Sequence, residues 1–101
     1  MPTQQVIDFP RTFAYHVAGD AMEPEFHIGD EIFVDCSLHH PHTGDFVIAQ
    51  LDSQSAPVFR QFIKHQGKHF LKSLNPNYPM IEIAADTFIR GVIVFRGNPL
   101  S

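Results

Sequence analysis

Apolar residues fall in short, dense runs separated by Gly, Pro, Asn and Asp. The runs are "FAYHV" (Phe13 to Val17), "EIFVD" (Glu31 to Asp35), "FVIAQL" (Phe46 to Leu51) and "PVFRQFI" (Pro57 to Ile63). They continue as "HFLKSL" (His69 to Leu74), "MIEI" (Met80 to Ile83) and "FIRGVIVF" (Phe88 to Phe95). No helical period is sustained anywhere. Runs of this length, rich in Val, Ile and Phe, predict strands, and their spacing predicts an all-β sandwich or barrel-like fold.

The punctuation has a mechanism at several points. Gly29-Asp30 and Gly44-Asp45 each precede an apolar run and supply the positive φ of a bend. "PVFRQFIKHQGKHFLK" reads as a β-hairpin with "HQGK" at its tip. "NPNYP" (Asn75 to Pro79) holds two prolines without backbone donors and reads as a loop or edge. The one helical turn expected is at "MEPEF", with Pro24 in its first turn and Asp20 as its cap. Residues 1–12 read as an N-terminal arm, and residues 13–101 as one domain.

Composition narrows the class. The 101 residues are 44% hydrophobic, with ten Phe and no Trp, which is enough for one modest core. Eleven acidic residues against seven Lys and Arg give a net charge of −4, so this segment lacks the basic face that gripping nucleic acid requires. The single cysteine, Cys36, excludes an intrachain disulfide and points to a reducing compartment. It reads as a small, half-buried residue at a strand end. With neither a signal peptide nor a membrane-length apolar run in view, the expectation is a cytoplasmic protein without membrane contact.

Candidate chemistry is sparse. "HHPH" gathers His39, His40 and His42, with His27 earlier in the chain, but the three lie on a Pro-containing loop without zinc-site spacing, so a solvated loop is expected and no metal or other cofactor. His65 and His69, flanking a hairpin tip, are expected to face solvent. Asp20, Glu23, Asp30, Glu31 and Asp35 are explained as turn and strand-end acids rather than as a catalytic pair. Arg60 stands apart. It interrupts the apolar run Val58-Phe59-Arg60-Gln61-Phe62, where a cation needs a partner or a path to water.

The order "VAGDAMEPEFHIGDEIFVD", "GDFVIAQL", "VFRQFIK", "FLKSLNPNYPMIEI", "IRGVIVF" resembles the C-terminal domain of LexA, UmuD and the lambdoid phage repressors, from about Phe13 to Phe95. That resemblance implies twisted β-sheets with a barrel-like core, like those of LexA and signal peptidase, and at most one short helical turn. It also implies a self-cleaving serine peptidase that doubles as a dimerisation module. In that family the loop pattern is Gly-Asp-Ser-Met, with the serine as nucleophile. Here the loop is Gly19-Asp20-Ala21-Met22, followed by Pro24. The family's catalytic lysine falls within a run like Phe-Lys-Gln-Phe; here Arg60 stands at that position. Ser73 departs as well, where a proline is common.

A Ser–Lys dyad needs a hydroxyl and an amine that can be neutral near pH 7. Alanine has no oxygen, and arginine cannot be deprotonated in a protein. The expectation is therefore that no catalytic pair is intact at Ala21 and Arg60 and that the chain does not cleave itself. Two origins stay open: natural loss, or an engineered exchange at position 21. Arg60 favours natural loss, since an engineered change there would ordinarily also be to alanine. The family's cleaved bond lies well upstream of the serine, so no internal cleavage segment is expected.

The resemblance implies the self-association domain of a transcriptional regulator, with DNA contacted only through a domain outside this chain. The alternatives are an inactivated self-cleaving peptidase and an accessory protein of a translesion DNA polymerase, like processed UmuD. A RecA-type activator or a polymerase would then be a partner. The expected partner of the domain itself is a second copy, joined through Val92, Ile93, Val94 and Phe95, with Arg90 or Arg96 at the rim. Arg60 is expected beside the Ala21 loop, reaching Asp20, Glu23 or that loop's carbonyls.

Overall fold

A computed structural model describes residues 11–96. Seven strands form: β1 (Thr12–His16), β2 (Glu31–Asp35), β3 (Phe46–Gln50), β4 (Val58–His65), β5 (Lys68–Lys72), β6 (Ile81–Glu82) and β7 (Phe88–Arg96). Each corresponds to one of the seven apolar runs, and no helix occurs among the described residues. All neighbours are antiparallel and join one sheet in the order β1-β2-β7-β3-β4-β5-β6. The last strand in sequence therefore lies between β2 and β3, near the middle of the sheet.

That placement explains the patterns of β3 and β7. On β3, Val47 and Ala49 enter one apolar cluster with Phe62, Leu71 and Val92. Ile48, between them, enters another with Val17, Met22, Phe26, Ile32, Val34 and Phe59. A strand covered on both faces reads as a continuous apolar run rather than an alternating one. On β7, Val92 and Ile93 likewise divide between the two clusters.

The β4–β5 hairpin closes with the two residues Gln66 and Gly67, at φ 51° and 80°. Positive φ at both positions is what a two-residue loop needs to follow the twist of its strands. Arg11 and Thr12 are the only described residues of the expected 1–12 arm. Thr12 opens β1 opposite Asp35, and the Arg11 carbonyl accepts from Cys36 N at 2.8 Å. Cys36 is half-buried just beyond β2, as its neighbours in sequence suggested.

The expected helical turn is corrected. Residues 21–25 form consecutive turns, with Glu23 N donating to the Asp20 carbonyl (3.2 Å) and Phe26 N to the Met22 carbonyl (3.0 Å). The Glu23–Pro24 peptide bond is cis. The Asp20 carboxylate does not cap this segment, because it accepts instead from the Tyr78 hydroxyl.

Candidate functional site, the loop from Val17 to Asp30

The loop leaves β1 and returns to β2 through a closed neck. Val17 N donates to the Asp30 carbonyl (2.9 Å), and Gly29 N to the Val17 carbonyl (2.8 Å). Gly19 sits at φ +91°, a conformation that side chains with a Cβ rarely adopt, and this sets the bend into Asp20. Beyond it the chain turns inward: Met22 is 1% exposed and Ala21 8%. Met22 and Phe26 pack into the same cluster as Ile48 and Phe59. Phe26 meets Phe59 edge-on at 4.9 Å between centroids and Phe46 at 5.0 Å.

A second loop, Asn75–Tyr78, holds positions 20 and 21. Asn75 N donates to the Ala21 carbonyl (2.9 Å), and Asn75 Nδ2 to the Asp20 carbonyl (3.0 Å). The Tyr78 hydroxyl donates to Asp20 Oδ1. The Asp20 carboxylate favours the neutral phenol and pushes the Tyr78 pKa up, with Arg60 opposing it. These partners are 54 to 58 residues away in sequence, and nothing local in "NPNYP" signalled them.

Arg60 belongs to the same neighbourhood, through Tyr78. Its guanidinium carbon lies 5.9 Å from the centroid of the Tyr78 ring, within cation–π reach. Nη1 donates to the Phe59 carbonyl at 2.8 Å, and Nε is buried without a partner. Burial pushes the guanidinium's pKa down, while Tyr78 and Tyr15 oppose that shift. The expectation that Arg60 would pair with Asp20 or Glu23 is corrected: among the described residues no ion pair includes it. Both carboxylates are already engaged, Asp20 with Tyr78 and Glu23 with His27 Nδ1 at 3.0 Å. The carbonyl that Arg60 reaches belongs to the adjoining residue of β4, not to the loop.

As chemistry, the arrangement offers a methyl group at position 21 and a permanent cation at position 60. Neither is a nucleophile or a base. The histidines do not converge either: among the described residues no three His, Cys, Asp or Glu side chains group as metal ligands. His39 Nδ1 lies 3.0 Å from the Ile89 carbonyl, and His42 Nδ1 lies 3.9 Å from Asp45. His69 is exposed but rests against Phe62, with ring centroids 5.3 Å apart.

The four β7 positions part company. Val92 is 7% exposed and belongs to the core, and Ile93 packs against the other cluster. Val94 and Phe95 are 51% and 61% exposed. A register shift explains how adjacent residues both reach the surface. Phe33 pairs with Phe95 but Val34 with Ile93, leaving Val94 as the extra residue of a β-bulge. Thr12, Phe33, Val94 and Phe95 line an apolar hollow of about 560 Å³. Arg96, expected at a rim, is engaged within the chain by Glu25 and Phe26.

The chain matches the family described as Peptidase S24-like over residues 2–94 and belongs to that family. Its similar proteins are regulators by name. It is 38% identical over 90 residues to prophage repressor CohE of Escherichia coli (strain K12), covering 87% of this chain and 40% of that protein. It is equally similar, 38% over 90 residues, to repressor protein C2 of Salmonella phage P22, covering 82% and 40%. A LexA repressor of Verrucomicrobium spinosum is 31% identical over 89 residues, covering 88% and 43%. The chain thus spans about two fifths of the length of these relatives.

Proposed function

We propose that this domain is the self-association module of a repressor-type transcriptional regulator and that it does not cleave itself. The observation behind the first half is the apolar end of β7, where Val94 and Phe95 stand exposed over an apolar hollow. A surface of this kind is an aggregation hazard unless covered, and a two-fold contact covers both copies with one patch. The relatives' names as repressors supply the context. Two weak DNA-reading heads joined in one dimer gain effective concentration at a two-fold operator. With a net charge of −4, this β domain leaves DNA reading to another part of the regulator.

The second half follows from position 21. Ala21 supplies no nucleophile, and Arg60 supplies no base. Sedimentation of the unmodified chain at micromolar concentration should give a dimer, and Phe95→Asp should give monomer; a clean monomer for the unmodified chain refutes the association. Alkaline incubation should leave the chain uncut, as should Ala21→Ser or Arg60→Lys alone, because nucleophile and base act as a unit. A specific fragment appearing from the unmodified chain refutes the inactivity.

A further inference from the structure

The loop from Asp20 to Phe26 is held at both ends by residues distant in sequence. At the near end, Tyr78 binds Asp20, and Asn75 binds the carbonyls of Asp20 and Ala21. At the far end the holder is Arg96, the last residue of β7. Its Nη1 donates to Glu25 Oε2 at 3.1 Å, its Nη2 donates to the Glu25 carbonyl, and its guanidinium carbon lies 4.2 Å from the centre of the Phe26 ring. Phe26 is in turn fixed by Phe46 and Phe59.

Arg96 follows directly on the exposed pair Val94–Phe95. Past the bulge, the end of β7 pairs among the described residues with β2 alone, through Phe33↔Phe95 and Ile32↔Arg96. Without another anchor, two such pairs beyond a register break would fray. The three contacts of Arg96 provide that anchor, and they come from the loop.

We infer that the Asp20–Phe26 loop is a brace for the end of β7, so that the order of the loop and the association surface at Val94–Phe95 are thermodynamically coupled. This rests on the self-association reading for its effect on dimers, but not for the brace itself. Even without a nucleophile the loop carries the hold of Tyr78 and Asn75, through Met22 and Phe26, to Arg96. By linkage the coupling runs both ways, and covering the end of β7 must also order the loop.

The test uses the full chain and two conservative variants that leave the association surface intact. Tyr78→Phe removes the hydroxyl on Asp20; Glu25→Gln removes the charge facing Arg96. Amide hydrogen exchange is read at Met22–Phe26, at Phe95–Arg96 and, as a control for global unfolding, in the β4–β5 hairpin. Dimer dissociation is measured by sedimentation equilibrium. In both variants exchange should rise together in the loop and at the end of β7, with the hairpin unchanged. Dimer dissociation should become easier by about fivefold or more, the lower range of site-to-site coupling. The monomeric Phe95→Asp variant should in turn exchange faster in the loop. If the loop loosens in Tyr78→Phe while Phe95–Arg96 exchange stays unchanged, the brace is refuted. If the unmodified chain is a monomer, the association reading fails by itself, and the exchange arm still decides the brace. A rise shared equally by the hairpin is global destabilisation and also counts against it.

Discussion

Replacing Met22 by alanine asks what the loop contributes to the fold. Met22 is among the largest side chains fully enclosed in this domain, at 1% exposure, and it packs with Phe26, Ile32, Val34, Ile48 and Phe59. Truncation removes apolar burial and leaves a space bounded by β2 and β3 side chains that are pinned in the sheet and free to close in only partly. Met→Ala changes at such sites cost about 2–5 kcal/mol. A domain of this size has about 5–15 kcal/mol in all, so the loss is a third or more of the total in the middle of those ranges. Since one kcal/mol moves the midpoint by roughly 4–8 °C in a domain of 60–100 residues, a fall of about 10 °C or more is expected. The assays are urea unfolding for the free energy and thermal unfolding for the midpoint, both followed by circular dichroism at one fixed protein concentration, because association stabilises by mass action. Ile28→Ala, in the same loop but 64% exposed, is the control and should stay within about 0.5 kcal/mol. A Met22→Ala loss below about 1 kcal/mol, or one no larger than that of Ile28→Ala, would mean that the loop only lies on the sheet and contributes little to its core.

Gly91→Ala should destabilise by about 1–3 kcal/mol, read from the same urea curves, because an added Cβ would stand 2.6 Å from Val34 Cγ1 and 2.8 Å from the Asp35 carbonyl oxygen; an unchanged midpoint would contradict the close approach of β2 and β7. Tyr78 should ionise above the ordinary tyrosine range in an ultraviolet pH titration, and Asp20→Asn should bring it down. Because its folded-state pKa is raised, the stability it contributes is present below the unfolded tyrosine value and is lost as pH rises through the folded one. Asp52 has the opposite sign: bonds from Gln54 N and the Ser55 hydroxyl hold its carboxyl below the usual value. Its contribution is therefore present above the unfolded pKa and lost as pH falls through the folded one, and Asp52→Ala should flatten that part of the acid-unfolding profile.

Seven strands, their limits to within a residue or two, and the hairpin at Gln66-Gly67 were legible from local pattern. Strand runs and turn residues act on their own neighbours, so the chain states them directly. The order of the motifs from "VAGDAMEPEFHIGDEIFVD" through "VFRQFIK" to "IRGVIVF" likewise pointed to the family, with Ala21 and Arg60 as departures from its pattern, because motif order is a property of the sequence. The absence of a hydroxyl at 21 and of a titratable amine at 60 needs no structure. Only the tertiary fold decided the rest. It placed β7 between β2 and β3, so Val92 became core and not surface. It set a bulge at Val94, which exposes two adjacent apolar residues where simple alternation would expose one. It gave Asp20 to Tyr78 and Glu23 to His27, leaving Arg60 to its neighbour's carbonyl and an aromatic ring. It joined Arg96 to Glu25, 71 residues earlier. A side chain's partner across such distances depends on strand order and register, and these are fixed by burying both faces of the sheet at once, which no local stretch encodes.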